Sequence, residues 1–470
     1  MSKCVLLENQ TRFSSRYFVD RIEKRTEEIA AELLAKRQLF PIPPTQIADQ
    51  LIDWFAAMEA GAVPFCVHRE MPQALIESLC ETVPPQGAEF AVLSSGSTGL
   101  AKLFFRTTDS WENFFKVQNH IFDINASTRL FFHGSLSFTG TLNMCVAAIA
   151  FKAKLVTVSS LNGMRMLESI VKNRVNSIYL VPAKLALLVS AGRNHDAIPG
   201  VRRIITGSQL LQKDVYEGLK RVFPNAVITM YYGASESGYV TYITGDDILR
   251  FPGCLGQTFP GVEIERSQEG QIAVYTEGGI LGMNRPILLP DLGCVDESGR
   301  LWLLGRCDEV VNVAGTKINL AYVRETIRDL PEVHNAEVLY TDAGRKARIV
   351  AFFEAAHDRP PVDNLPARIL EDLNAVLLPG EVPRAVYELP DLPLNAGGKP
   401  DRRKLESMLA SQEQGAIGLP RCARNDTMLA SRNDTMDILP HRGPMLLLDA
   451  AELIAGEAHG RKHIRGDEWF

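Results

Sequence analysis

The chain carries, at residues 93–102, the stretch Leu93-Ser94-Ser95-Gly96-Ser97-Thr98-Gly99-Leu100-Ala101-Lys102, directly after the predicted strand Phe90–Leu93. Its two glycines let the backbone turn tightly and direct N–H groups at an anion. Four hydroxyl groups add hydrogen-bond donors, and Lys102 adds a positive charge. The stretch therefore predicts a loop that binds a triphosphate, and a flexible Ser/Gly connector fits it equally well. A Walker A loop is excluded, because no Gly-Lys-Ser/Thr follows Gly96 at the required spacing.

On both sides of this loop, apolar residues recur in regular patterns along the chain. From about Thr26 to Ala60, apolar residues recur at intervals of three and four, which predicts a helix. After the loop, apolar runs alternate with amphipathic stretches: strand-like Lys154–Val158, helix-like Met164–Asn173, then strand-like Ser177–Val181 and Arg203–Thr206. This alternation predicts an α/β domain with a largely parallel sheet.

Beyond about Phe251 glycine and proline become frequent, and the pattern changes to short strand-like runs. We place the main boundary near Arg306. The predicted organisation is a large domain at 1–305, a small α+β domain at 306–410, a linker at 411–436 and an incomplete segment at 437–470.

Composition is that of an ordinary soluble protein, with 46% hydrophobic and 23% charged residues and a net charge of −6 over 470 residues. Basic residues are scattered, so we expect no nucleic-acid partner. The eight cysteines include no CxxC pair, which favours reduced thiols and a cytoplasmic location over a zinc site or disulfides. The most apolar stretch, around Met144–Phe151, is too short for a membrane span and predicts a buried helix.

A second motif, Tyr231-Tyr232-Gly233-Ala234-Ser235-Glu236, follows the predicted strand Ala226–Met230. A carboxylate just after a strand and a tight turn can bind Mg²⁺, which prefers oxygen ligands and bridges phosphates. An aromatic face at this place can stack on a purine. Taken alone, the motif is more typical of an ordinary strand-end turn.

The third motif is formed by two stretches, Asp291-Leu292-Gly293 and Gly305-Arg306-Cys307-Asp308. It offers a carboxylate for ribose hydroxyls and an arginine for ribose or phosphate, although a surface salt bridge is the alternative. The fourth motif is the Gly-rich hairpin from Leu392 to Arg402. It carries Lys399, which can stabilise charge between a carboxylate and the α-phosphate. A solvated loop is the alternative here.

In this order, the four motifs resemble those of the adenylate-forming superfamily of acyl-CoA synthetases, aryl and fatty acid ligases and peptide-synthetase adenylation domains. The resemblance covers about Phe90 to Leu405. It implies an AMP-forming acid–thiol ligase that uses ATP, Mg²⁺ and either coenzyme A or the phosphopantetheine of an acyl carrier protein. Departures from the family's motifs include Ala101, Ser235, Leu289-Pro290 and Ala314, which stands where an Arg or Lys is common, and none of them removes a charged catalytic group.

The resemblance also implies the site residues. The predicted catalytic residues are Lys399, Glu236, also the Mg²⁺ ligand, and His133, for which a packed structural histidine is the alternative. The predicted cofactor-binding residues are Ser94, Ser95, Gly96, Ser97, Thr98, Gly99, Lys102, Gly207, Ser208, Tyr232, Gly233, Ser235, Asp291, Arg306, Asp308, Gly315 and Lys317. The resemblance further implies that the small domain rotates about Asp308 between the two half-reactions. This rotation would withdraw Lys399 from the site and bring in the Gly315–Lys317 segment for transfer of the acyl group to the thiol.

The segment Ile438–Asp449 resembles the opening of hotdog-fold 3-hydroxyacyl-carrier-protein dehydratases. The catalytic residues of that family would lie beyond Asp467, so we expect no dehydration by residues 437–470. By analogy, the segment favours an acyl carrier protein as acceptor and an aryl acid, as in aryl polyene synthesis. The alternatives are a binding protein of the same fold without turnover and the ligase half of a ligase–dehydratase fusion.

Overall fold

The computed structural model describes residues 4–33, 38–93, 102–313, 316–341, 347–356, 364–378, 380–394, 400–413, 422–424, 450–454 and 457–461. The chain divides into two compact units, Met1–Leu304 and Gly305–Phe470, called the large and the small unit below. No helix in the described part of the chain combines the length and the apolar character needed to cross a membrane.

The strands up to Arg306 are β1 (Cys4–Glu8), β2 (Thr11–Ser14), β3 (Leu39–Ile42), β4 (Val63–Cys66), β5 (Phe90–Leu93), β6 (Leu103–Arg106), β7 (Arg129–Phe132), β8 (Lys154–Thr157), β9 (Ser177–Tyr179), β10 (Arg203–Gly207), β11 (Val227–Ala234), β12 (Gly238–Thr244), β13 (Cys254–Thr258), β14 (Glu263–Arg266), β15 (Gln271–Tyr275), β16 (Ile287–Val295) and β17 (Leu301–Arg306). The helices of the large unit are α1 (Ser15–Glu32), α2 (Ile47–Glu59), α3 (Gln73–Cys80), α4 (Asp109–Ile121), α5 (Thr139–Ala150), α6 (Gly163–Lys172), α7 (Pro182–Ala191), α8 (Lys213–Val222) and α9 (Asp247–Arg250).

The main sheet has the strand order β14-β15-β16-β17-β13-β12-β11-β10-β9-β7-β8-β1-β2. Six consecutive strands, β11-β10-β9-β7-β8-β1, are parallel throughout. Strands β12 to β15 and β2 pair antiparallel. The predicted α/β class is therefore confirmed, with the parallel order confined to these six strands.

Side chains of the parallel strand β7 alternate between two apolar layers. Leu130 and Phe132 of β7 pack with residues of α4 and α5, and Phe131 packs with residues of α6, α7 and α8. This is the period of two that a strand imposes. Because both layers are apolar, β7 reads in sequence as a continuous apolar run, as buried parallel strands do.

The helix predicted from Thr26 to Ala60 is wrong as a single element. The structure has α1, then strand β3, then α2, and β3 pairs in parallel with β4. Pro41, Pro43 and Pro44 lie between the two helices. Proline lacks a backbone N–H and blocks the preceding turn, so a helical pattern cannot continue through them.

The small unit combines a mixed sheet with helices, because β21 and β22 pair in parallel while the other strands pair antiparallel. Its elements are a short 3₁₀ turn at Cys307–Glu309, β18 (Val310–Val313), β19 (Thr316–Asn319), α10 (Leu320–Arg328), β20 (Val333–Thr341), β21 (Arg348–Ala355), α11 (Leu365–Val376), β22 (Ala385–Leu389), α12 (Arg402–Glu413), β23 (Cys422–Arg424), β24 (Ala450–Ile454) and β25 (Glu457–Arg461). The sheet order is β20-β21-β22-β23, and β18 pairs with β19. Ile318 and Val323 lie in the core between this sheet and α11.

The predicted linker 411–436 contains part of this unit. Helix α12 runs to Glu413, and β23 pairs antiparallel with β22, with Ala385 opposite Arg424. A strand added to an exposed edge satisfies backbone groups that would otherwise lack partners, which sequence composition does not reveal. In the dehydratase-like segment 437–470, the structure describes the hairpin of β24 and β25, with Ala450 opposite Arg461. The dehydratase resemblance stays a prediction.

Candidate active site

Three of the predicted site residues of the large unit lie at one edge of the parallel strands. His133 follows β7, Gly207 ends β10, and Tyr232 lies near the end of β11. Because β7, β9, β10 and β11 run in parallel, their carboxyl ends meet at the same edge. Open α/β sheets bind their ligands at this edge.

The turn after β10 is shaped by a tyrosine ring. A Cβ on Gly207 would lie 2.6 Å from Tyr231 Cζ, so the ring lies directly on the glycine backbone. Ser208 follows with φ of 72°, in the left-handed region. The Tyr231 hydroxyl in turn lies 2.7 Å from the Tyr179 hydroxyl. The turn at Gly207 therefore lies against two hydrogen-bonded tyrosines, of which Tyr179 is buried and Tyr231 half-buried.

The motif at 231–236 differs from the prediction in its backbone. Strand β11 continues through Ala234, and the turn at Ser235–Ser237 joins it to β12. A Cβ on Gly233 would lie 2.2 Å from the carbonyl oxygen of Gly238, so only glycine fits there. Half-buried Glu236 thus projects from a hairpin turn between two paired strands.

Two predicted site residues from distant parts of the sequence are joined by a hydrogen bond. The Tyr232 hydroxyl donates to Asp291 Oδ2 at 2.5 Å. Asp291 lies on β16 and is 9% exposed. The pair places an aromatic ring and an oriented carboxylate side by side.

The predicted phosphate loop lies between two paired strands. Ser94, Ser95, Gly96, Ser97, Thr98 and Gly99 are outside the described residues, and Lys102 is exposed. Strands β5 and β6 pair antiparallel, with Leu93 opposite Leu103, so the two ends of the loop are held together.

Ser235 is bonded towards both ends of this loop. Its hydroxyl lies 2.9 Å from Thr139 Oγ1, and Thr139 Oγ1 donates to the carbonyl of Leu93 at 3.5 Å. Its carbonyl accepts from Arg106 Nη2 at 2.5 Å, and Arg106 ends β6. The turn that carries Glu236 is therefore tied to the strand before the loop and to the strand after it.

Arg106 was not predicted as a site residue. Its side chain is fully buried, and Nη1 also donates to the carbonyl of Gly278 at 2.7 Å. Burial lowers the pKa of its guanidinium to about 10, and the charge of Glu236 opposes this effect. The feature of the sequence that could have indicated Arg106 is its position as the charged last residue of the apolar strand Leu103–Arg106.

His133 has a neutral ring near neutral pH. Burial, and then the charge of Lys184, lower its pKa to about 4. Its Nδ1 is buried and has no hydrogen-bond partner among the described residues. Lys184, which sequence reasoning also missed, donates from Nζ to the carbonyl of His133 at 3.0 Å.

The remaining predicted residues lie near or in the small unit. Arg306 ends β17 and is half-buried. The backbone of Asp308 lies in the 3₁₀ turn and that of Lys317 in β19, but their side chains are outside the described residues, as are Gly315 and Lys399.

The described residues contain no group of three or more His, Cys, Asp or Glu side chains able to hold a metal ion. A cage built from the described protein side chains is thus not found. Glu236 with the Ser235 hydroxyl still suits Mg²⁺, because this ion usually takes one or two carboxylates and completes its shell with water and substrate phosphates.

One known protein family matches part of the chain. Residues 77–281 match the family described as AMP-binding enzyme. The matched range includes the loop at 94–102, His133, Gly207 and Glu236. Asp291, Arg306 and Lys399 lie outside it.

The chain is also similar to individual proteins. It is 24% identical over 274 residues to an uncharacterized acyl-CoA ligase, YhfT, of Bacillus subtilis, across 55% of this chain and 57% of that protein. It is 24% identical over 373 residues to acetyl-coenzyme A synthetase of Penicillium chrysogenum, across 71% and 56%. The chain thus spans just over half the length of these two relatives.

Among solved structures, O-succinylbenzoate coenzyme A synthetase (MenE) from Bacillus subtilis, in complex with ATP and magnesium ion, superposes with a TM-score of 0.73. The sequences are 16% identical, and the match covers 86% of this chain and 97% of that one. At this identity the likeness concerns the fold.

Proposed function

We propose that the chain activates a carboxylic acid with ATP to an acyl-adenylate, releasing pyrophosphate, and then transfers the acyl group to a thiol. The observation that supports this most is the bonding of the Ser235–Glu236 turn to both strands that flank the loop at 94–102. A carboxylate on a turn that is bonded to both strands flanking a Ser/Thr/Gly-rich sequence is suited to a nucleotide triphosphate with its cation.

The pair Tyr232–Asp291 would hold the nucleoside. With its Oδ2 held by the Tyr232 hydroxyl, the Asp291 carboxylate can accept hydrogen bonds from ribose hydroxyls. The ring of Tyr232 offers an apolar face for the purine, and aromatic–base stacking contributes about 1–3 kcal/mol. Burial of Asp291 strengthens these polar contacts.

Glu236 would hold Mg²⁺, with Ser235 beside it. When bound, the ion neutralises phosphate charge and orients the triphosphate. Arg106 adds a fixed positive charge behind the same turn, since its guanidinium is buried against the Ser235 carbonyl. Lys102 at the end of the loop adds another. Together these groups reduce the repulsion between the phosphates and an approaching carboxylate.

In the first reaction, a carboxylate oxygen of the acid attacks the α-phosphorus. A new bond forms between that oxygen and phosphorus, and the bond from the α-phosphorus to the bridging oxygen breaks as pyrophosphate leaves with the electron pair. His133 would contact the acid as a neutral imidazole, because burial and Lys184 keep its pKa at about 4. Lys399 is proposed, from its motif, to stabilise the charge that develops between the two reactants.

In the second reaction, a thiolate attacks the acyl carbon and AMP leaves. Coenzyme A and the phosphopantetheine of an acyl carrier protein carry the same thiol, and we propose one of them as acceptor. The motif residues Asp308, Gly315 and Lys317 are the proposed contributors to this step. The dehydratase-like segment at 437–470 favours the carrier protein.

ATP–pyrophosphate exchange with a panel of aryl, short-chain and long-chain acids tests the first reaction. We expect exchange with at least one acid, and a loss of about 10²-fold or more in Glu236→Gln and in Lys399→Ala. Lys404→Ala is the matched control, because Lys404 is an exposed lysine paired with Asp401. ATP binding without exchange for any acid would instead indicate a binding protein, and full exchange in Lys399→Ala would refute the role of that lysine.

A further inference from the structure

Lys184 is a half-buried cation for which the described protein supplies no counter-charge. It lies near the start of α7, after β9, at the sheet edge that carries the candidate site. Its one hydrogen bond to the described residues goes to a backbone carbonyl, that of His133, at 3.0 Å. Burial lowers its pKa to about 8, with no carboxylate acting in the opposite direction. A buried ammonium is costly unless an anion or several acceptors meet it.

The backbone beside Lys184 is shaped to admit its ammonium group. Gly134 has φ of 149°, in the region that favours glycine, and a Cβ there would lie 3.2 Å from Lys184 Nζ. Any other residue at 134 would therefore press on the ammonium. The adjacent His133 has a buried Nδ1 without a partner among the described residues. Two polar groups with unused hydrogen-bonding capacity thus meet at one place.

This place is separated from the nucleotide-binding strand. In the sheet, β7 and β11 are three strand positions apart, which corresponds to about 14 Å. The hydrogen-bonded pair Tyr179–Tyr231 bridges part of this distance, since Tyr179 ends β9 and Tyr231 lies on β11. An acid whose reacting carboxylate lies near Ser235 could extend over the tyrosines and reach Lys184 with its other end.

We propose that Lys184 determines substrate specificity by binding a second anionic oxygen, at the far end of the acid. The substrate class is a carboxylic acid that carries a further carboxylate or an acidic hydroxyl. His133 supplies a neutral hydrogen-bonding group beside this contact. The inference rests on the proposed adenylation, because it assigns the far end of the same acid.

The test compares acids of matched shape in ATP–pyrophosphate exchange: butanoate with succinate, and benzoate with 4-hydroxybenzoate and 4-carboxybenzoate. We expect kcat/KM to favour an acid with the second anionic oxygen by about tenfold or more over its partner. Lys184→Met keeps the length of the side chain without its charge and should abolish this preference, lowering kcat/KM for the acid with the second anionic oxygen much more than for the acid without it. The two substituted benzoates distinguish an acidic hydroxyl from a second carboxylate.

Lys172→Met is the control, since Lys172 is exposed and donates to Gln10. Equal losses for all acids in Lys184→Met would overturn the proposal, because they would place Lys184 at the reacting carboxylate. An unchanged preference in that variant would also overturn it. Thermal melting of each variant shows whether it is folded.

Measuring the binding of the acids directly tests the role of Lys184 independently of the proposed adenylation activity. If no acid supports exchange, the proposed function fails, and titration calorimetry of the same acids still decides the role of Lys184. Tighter binding of the acids with the second anionic oxygen, lost in Lys184→Met, would support it. Equal binding by wild type and Lys184→Met would contradict it.

Discussion

The Tyr232 hydroxyl donates a hydrogen bond of 2.5 Å to Asp291 Oδ2, and this contact joins two motifs separated by 59 positions in the sequence. It orients a nearly buried carboxylate. The contact belongs to the proposed nucleoside site, so its removal should affect nucleotide affinity more than the chemical step.

Tyr232→Phe removes only the hydroxyl and leaves the ring. We expect the KM for ATP to rise by on the order of tenfold with little change in kcat, because a hydrogen bond to a charged group contributes about 1.5–3 kcal/mol. Steady-state exchange kinetics at varied ATP measure this. Tyr242→Phe is the control on β12, where the hydroxyl accepts from Gln257. A fall in kcat at unchanged KM would contradict a binding role.

Arg106→Gln should destabilise the large unit and impair exchange together. The substitution leaves the carbonyls of Ser235 and Gly278 without their charged donor, and we expect the free energy of unfolding to fall by about 2–4 kcal/mol. Urea denaturation measures the loss. Arg203→Gln is the matched control. Arg203 begins β10 and pairs with half-exposed Asp123, and such surface pairs contribute about 0–1 kcal/mol to stability.

The variant Arg106→Lys separates the effect of Arg106 on stability from its effect on exchange. Lysine keeps the charge but cannot reach both carbonyls with a planar fork. If the turn needs that fork, exchange in Arg106→Lys falls and its dependence on Mg²⁺ moves to higher concentration, even at a temperature where the variant is folded. Exchange equal to wild type in folded Arg106→Lys would show that the charge alone suffices.

Gly207→Ala should be costly, because its Cβ would lie 2.6 Å from the Tyr231 ring. Overpacking of this kind typically costs about 1–3 kcal/mol. The penalty should shrink in a double variant with Tyr231→Ala, which removes the ring, so a double-mutant cycle on the free energy of unfolding measures the coupling. Gly200→Ala, where nothing lies within 4 Å, is the control.

Stability should depend on pH through His133. Its pKa is lowered from 6.5 to about 4 by burial and by Lys184, with the Ser159 backbone acting weakly in the opposite direction. Between pH 6.5 and 4 the unfolded chain binds this proton and the folded chain does not. The free energy of unfolding should therefore fall as pH falls, by at most about 1.4 kcal/mol per pH unit from this group, and level off below pH 4.

The measurement is urea denaturation at several pH values for wild type and His133→Asn. The difference between the two curves should be flat above pH 6.5 and change through the window down to pH 4. A difference that does not vary with pH would show that His133 titrates alike in the folded and unfolded chain.

Local pattern alone predicts the elements whose burial is reflected in their own residues. The strand predicted at Arg203–Thr206 forms β10, and the helix predicted at Met164–Asn173 forms α6, because an apolar run and an apolar stripe are local properties. The motifs around Gly207, Tyr232 and Asp291 were recognised through their resemblance to those of the adenylate-forming superfamily, although Tyr232 and Asp291 lie within β11 and β16.

Pairing with distant residues was not predictable in this way. Strand β23 exists because β22 offers an unpaired edge. The role of Arg106 depends on carbonyls at Ser235 and Gly278, which lie more than 120 positions away. Lys184 gains its significance from the burial that the folded sheet imposes and from the carbonyl of His133.

The loop at 94–102 shows both sides of this division. The sequence by itself determined its residue types, and hence the hypothesis of a phosphate-binding loop after a strand. Only the tertiary structure decided that β5 and β6 pair at its two ends, and that Thr139 and Arg106 connect both strands to the Ser235–Glu236 turn. The physical reason is that hydrogen-bonding capacity is a property of each residue, whereas the partner that satisfies it is chosen by the fold.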